Sequence, residues 1–155
     1  MICRTLPSSL IVLSLCFVAT TAVAHVTVWP RESPAGGFEK YTVRVPTEGK
    51  IGTTALELQV PEGRTVVSIA ASNESSYELK RSGECIVAIT WSRSIKPGEF
   101  AEFAFMARNP KEGAQVVWKA VQRFSDGSST EWAGAAGSLH PASYTKLTVA
   151  VAHDH

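Results

Sequence analysis

The chain has 155 residues, enough for one domain with a real core and too few for two ordinary ones. Apolar residues make up 45% of it, which excludes a disordered chain. Its 15 Lys and Arg balance 14 Asp and Glu, which argues against nucleic acid or anionic lipid as the main partner.

The first 24 residues differ in kind from the rest. Met1 to Pro7 carries Arg4 and no acid. Ser9 to Ala19 is an almost unbroken apolar run, and Ala22-Val23-Ala24 follows it. A basic start, a short apolar middle and an A-x-A end are the parts of a secretory signal peptide. The run is shorter than the roughly 20 residues that span a bilayer as a helix. Retention as a membrane anchor is the alternative, and acylation on Cys16 a second one, disfavoured by the bulky Leu15 before it. Cleavage between Ala24 and His25 is therefore expected, with His25 as the new amino terminus and a periplasmic or secreted location. Cys3 and Cys16 leave with the signal, so Cys85 is the one cysteine of the mature chain and no internal disulfide forms. Its apolar setting, Cys85-Ile86-Val87-Ala88-Ile89, predicts a buried, inert thiol.

The mature chain reads as strands between turns. Val26-Thr27-Val28 alternates directly after the expected terminus. Tyr41 to Pro46 alternates strictly, as does Ala55 to Val60 before Pro61-Glu62-Gly63. Strands are expected over 64–70, 75–81, 84–91 and 100–107, then over 115–124 as one long strand. In that last strand Val116, Trp118, Ala120 and Gln122 share a face. Ser125-Asp126-Gly127-Ser128 is a hairpin turn with a return over 130–132. The segment from Ala133 is rich in small residues and reads as loosely held, with a last strand over 144–151. Seven or eight short strands and no capped helical segment predict an all-β antiparallel sandwich over 25–152, with 153–155 as a tail. No later segment is long and apolar enough to span a membrane.

A histidine at position one offers two nitrogens from one residue, the α-amine and the imidazole. The α-amine, with a pKa of about 7.7–8, yields its proton readily to a metal. Planar nitrogen donors suit Cu(II). On these residues alone, His25 reads equally as whatever follows a cleavage site. Glu102 shares a strand face with Phe100 and Ala104, opposite Phe103 and Phe105, and reads either as a ligand or as a solvated group. Glu99 competes with it but follows Lys96-Pro97-Gly98. Trp132 reads as core or as a π face over a cation. Trp91 and Trp118 read as core, and Trp29 as a shield for the terminus. His140, before Pro141, reads as a loop residue, and His153-Asp154-His155 as a solvated end with weak metal-binding capacity.

Several ordered blocks resemble the YcnI-like copper-binding family (formerly a domain of unknown function, DUF1775) of exported bacterial proteins. They are His25-Val26-Thr27-Val28-Trp29-Pro30, Tyr41-Thr42-Val43-Arg44-Val45-Pro46 and Leu58-Gln59-Val60-Pro61. Gly98-Glu99-Phe100-Ala101-Glu102-Phe103, Trp118-Lys119-Ala120-Val121-Gln122, Ser125-Asp126-Gly127-Ser128 and Glu131-Trp132-Ala133-Gly134 complete them. The resemblance implies a cupredoxin-like or immunoglobulin-like sandwich that holds Cu(II) in a single-histidine brace. Carried over, His25 supplies amine and ring nitrogen, Glu102 the oxygen, and Trp132 lies beside the metal. The implied role is periplasmic copper buffering, trafficking or delivery, not catalysis, with the ion and other periplasmic or membrane copper-handling proteins as partners. Many members continue into a membrane helix; the end at His155 is read as a soluble form. The competing readings are a copper-dependent oxidative enzyme, which wants a second histidine in the brace, and a metal-free interaction sandwich. A nucleophile elbow, a phosphate loop and a Cys-x-x-Cys pair are absent from the sequence.

Overall fold

A computed structural model describes residues 24–149; the expected signal segment before Ala24 and the histidines at 153 and 155 lie outside them. The architecture follows from the period-2 patterning. Tyr41, Val43 and Val45 of β3 (Phe38–Pro46) are fully buried, and so are Leu56 and Leu58 of β4 (Thr53–Gln59). In β8 (Phe100–Arg108), Ala101, Phe103, Phe105 and Ala107 face in, and Glu102 and Met106 face out. Each such Val, Leu or Phe contributes roughly 1.5–3 kcal/mol by leaving water.

One sheet runs β1 (Thr27–Trp29), β3, β8, β5 (Thr65–Ile69). A second runs β11 (Ser129–Trp132), β10 (Ala120–Phe124), β4, β7 (Cys85–Ile95), β6 (Ser76–Ser82). A third, smaller one runs β2 (Glu32–Pro34), β12 (Ser143–Thr148), β9 (Gln115–Trp118). All pairings are antiparallel except that of β2 with β12. The two larger sheets pack face to face, with Trp91 stacked on Phe103 at 5.1 Å between centroids. Trp118 closes the core, 5.0 Å from Tyr41 and 5.7 Å from Phe105. The chain is an antiparallel β-sandwich, as its patterning predicts. No helix among the described residues is long and apolar enough to cross a membrane.

Three expectations change. The strand expected over 115–124 breaks at Lys119: β9 joins β12, β10 joins β4, and the chain passes from one sheet to another. The backbone carbonyl of Lys119 accepts from Gln59 N at 2.9 Å. Alternation survives the break, so periodicity alone does not reveal it. Cys85 is exposed, not buried. It is the first residue after the Gly83-Glu84 turn, opposite Ser82, and burial in β7 begins only with Ile86. The segment after Ala133 is tied down: Gly134 N donates to His140 O and Ala142 N to Gly134 O, each at 2.9 Å, before β12 begins.

Candidate metal centre

β1 is an edge strand, and its start is fixed from both faces. Val26 and Val28 are buried, Thr27 pairs with Arg44, and Val28 N donates to Ser143 Oγ at 2.9 Å. His25 is half-buried one residue before this anchored stretch. Solvent reaches it along a groove of about 470 Å³ bordered by Thr27, Arg31, Ala136, Pro141 and Tyr144.

The His25 ring meets the Trp132 ring edge-on, with centroids 5.6 Å apart and planes at 80°. Trp132 ends β11 and is only 6% exposed. Its Nε1–H donates to Gln122 Oε1 at 3.1 Å. His140 packs on the same indole, 5.1 Å between centroids at 84°, and its Nδ1 is buried without a hydrogen-bond partner. The loop between Gly134 and Pro141 brings it there. A Cβ on Gly134 would stand 2.3 Å from Ser138 Oγ and 3.0 Å from His140 O, so the close return needs glycine. Nothing in the sequence near His140 signals this contact, because it depends on how the loop closes.

The carboxylate at the start of the described chain is Glu48, just beyond β3. Its Oε1 accepts from Ala24 N at 2.7 Å. The segment carrying it is held by Thr47, whose N donates to Glu99 O at 2.9 Å and whose O accepts from Gly98 N at 2.8 Å. Glu102 sits elsewhere. It lies opposite Arg44, two strands from Thr27 in the same sheet, and Arg44 donates to its Oε1 from Nε at 3.0 Å and Nη2 at 2.9 Å. Both partners are exposed. Glu99 is exposed and accepts from Lys96 N through Oε2. Trp29 is 45% exposed and lies under the Arg31 guanidinium rather than over His25. Thus the fold brings His25 and Trp132 together and places Glu48, not Glu102, at the chain start. The Glu48 signal was its position two residues after the buried end of a strictly alternating strand, beside the strand that follows the expected terminus.

Among the described residues, no three His, Cys, Asp or Glu side chains converge. A site built on His25 therefore draws at least one donor from the backbone.

Comparison with known proteins follows this geometry. The family model described as "Domain of unknown function (DUF1775)" matches residues 25–147. The copper-binding protein CutI of Bacillus subtilis (strain 168) is 35% identical over 143 residues, 90% of this chain and 70% of CutI. An uncharacterised protein from Nocardia farcinica, whose crystal structure reveals an immunoglobulin-like fold, superposes with a TM-score of 0.70 at 28% identity. That match covers 81% of this chain and 99% of the other. The seventh ScaB type I cohesin from Pseudobacteroides cellulosolvens shares the fold alone, with a TM-score of 0.50 at 12% identity over 84% of this chain and 96% of the cohesin. With its match extending over nearly the whole described sandwich, the chain belongs to the DUF1775 family.

Proposed function

We propose that this protein is an exported copper-binding protein whose mature chain begins at His25. The α-amine and imidazole of His25 and the Glu48 carboxylate hold Cu(II), and the Trp132 indole lies beside the ion. The observation that carries this reading is the meeting of three groups at one point. Glu48 Oε1 lies 2.7 Å from the backbone nitrogen adjoining His25, and the His25 ring touches Trp132. The family match beginning at residue 25, and the copper-binding relative, support it.

The donor set fits the ion. Two nitrogens from one residue close a chelate, a carboxylate adds charge, and borderline nitrogen and oxygen donors favour Cu(II) over softer Cu(I). Cleavage supplies the missing donor, since an amide nitrogen at residue 25 does not coordinate as an amine does. The bonded position of Glu102 with Arg44 favours Glu48 as the carboxylate, in place of the residue that the resemblance implied. The role is binding without turnover, serving periplasmic buffering or handover of copper.

The test compares protein with a native His25 terminus against protein carrying one extra residue before it. Titration with Cu(II) is expected to show sharply weaker binding for the extended form; equal affinities reject the brace. In the native-terminus background, Glu48→Gln is expected to weaken binding and Glu102→Gln to leave it unchanged. The reverse pattern returns the ligand role to Glu102.

A further inference from the structure

The buried polar groups between the two sheets converge on one side chain. Gln122, 2% exposed in β10, points into the core from a face otherwise held by Trp118 and Ala120. Its Oε1 accepts from Trp132 Nε1 at 3.1 Å. Its Nε2 donates to Pro46 O at 2.8 Å and to Thr53 Oγ1 at 2.7 Å. Thr53 Oγ1 and Thr47 Oγ1 share a further hydrogen bond at 2.7 Å. Thr47 and Thr53 are themselves buried.

The orientation of this amide is fixed by its partners. An indole N–H only donates and a peptide carbonyl only accepts, so the amide oxygen must face Trp132 and the nitrogen must face Pro46. Both amide hydrogens are used. No other uncharged side chain of this length offers an acceptor on one side and two donors on the other. An apolar substitute would leave the Trp132 N–H, the Pro46 carbonyl and the Thr53 hydroxyl buried and unpaired, an expensive arrangement.

Resting on the copper reading above, we propose that Gln122 is the positioning residue of the metal centre. One arm fixes the Trp132 indole against His25, and the other fixes the Pro46-Thr47 segment that presents Glu48. Gln122 touches no metal; it sets the relation between groups on β11 and on the loop after β3. Partners in this position typically alter metal affinity about 10- to 100-fold when removed.

The test uses mature protein with a native His25 terminus, and the variants Gln122→Leu, Gln122→Glu and Asn109→Ala. Asn109 accepts from the buried Tyr41 hydroxyl at 2.9 Å, at the opposite end of β3 and β8. It therefore reports what losing a buried hydrogen bond does away from the site. Three readouts are taken: Cu(II) affinity by competition, the parallel hyperfine splitting in the Cu(II) electron paramagnetic resonance spectrum, and hydrogen exchange of the Trp132 Nε1–H in metal-free protein.

Expected for Gln122→Leu are about 10- to 100-fold weaker binding, a shifted hyperfine splitting and fast indole exchange. Asn109→Ala is expected to lower the melting temperature while all three readouts stay at wild-type values. Gln122→Glu keeps an acceptor for the indole and loses the donors to Pro46 and Thr53. It is expected to retain slow exchange and still shift the spectrum, and it serves if the leucine variant fails to fold. Wild-type affinity and spectrum in a folded Gln122 variant overturn the proposal. If the wild-type protein binds copper equally with an extra residue before His25, the brace reading itself fails. The metal-free indole exchange then still decides whether Gln122 fixes Trp132.

Discussion

The Trp132 ring stands edge-on to the His25 ring, 5.6 Å between centroids, so the indole lies within reach of anything the histidine binds. Bound Cu(II) is expected to quench tryptophan emission in step with binding. Most of the quench is expected to vanish in Trp132→Phe, because Trp91 and Trp118 are buried in the core away from the terminus. Steady-state fluorescence during titration checks this, and full quenching in the phenylalanine variant would place the ion elsewhere.

Trp132 also supports the fold. Trp132→Ala removes a nearly buried indole and is expected to cost about 3–5 kcal/mol. Trp132→Phe keeps much of the packing but leaves Gln122 Oε1 without its donor, at a cost of about 1–3 kcal/mol. Urea unfolding of the metal-free variants measures both. Equal losses in the two variants would contradict the separation of packing from hydrogen bonding.

Arg64 is buried at 6% exposure between the rings of Tyr41 and Trp118, its guanidinium carbon 4.6 and 4.4 Å from their centroids. None of its three side-chain nitrogens has a hydrogen-bond partner among the described residues, and desolvation pushes its pKa below 12.5. The stem and ring stacking hold it there, while the buried charge opposes them. Arg64→Met is therefore expected to fall within about 1 kcal/mol of wild type or above it. Arg64→Ala, which empties the slot, is expected to lose about 2–5 kcal/mol. Chemical denaturation decides; a methionine variant as unstable as the alanine one would show that the charge itself is needed.

Asp126 anchors the hairpin between β10 and β11. The Ser128 hydroxyl donates to Oδ1 at 2.6 Å and Ser128 N donates to it at 2.9 Å, and these two bonds hold its pKa below 3.8. A carboxyl lowered in the folded state supports the turn at every pH above the unfolded value. That support fades as pH falls through the lower folded value, so the loss lies below about pH 4. Titration of the Asp126 carboxyl carbon by NMR is expected to give a midpoint below that of an unstructured aspartate. In Ser128→Ala, which deletes the hydroxyl donor, the midpoint is expected to rise toward the ordinary value.

Cys85 is exposed at the start of β7. A thiol reagent is expected to modify it fully in native protein, at a rate close to that in denaturant. Cys85→Ser is expected to change stability by less than about 0.5 kcal/mol. Protection of the native thiol would restore the buried placement suggested by its apolar neighbours.

The alternation of Tyr41, Val43 and Val45, of Leu56 and Leu58, and of Phe103 and Phe105 is written in the sequence. A β-strand exposes alternate faces whatever it pairs with. The sandwich and most of its core were legible for that reason. So was the place of Gln122 on the buried face, though not its partners. His25 drew attention through the A-x-A pattern before it, which is a local signal.

Pairing is not local. Whether Gln115 to Phe124 crosses between sheets depends on which strands lie beside it, and alternation continues unbroken through Lys119. Glu102 and Glu48 are both carboxylates beside strands, and the sequence offers no measure of distance between either one and residue 25. Only the folded chain assigns Glu102 to Arg44 and brings Glu48 to the backbone beside His25. His140 reaches Trp132 only because a loop closes at Gly134. The sequence determined which faces are buried, since burial follows from period. The tertiary structure decided which side chains meet, since that follows from strand order and loop closure.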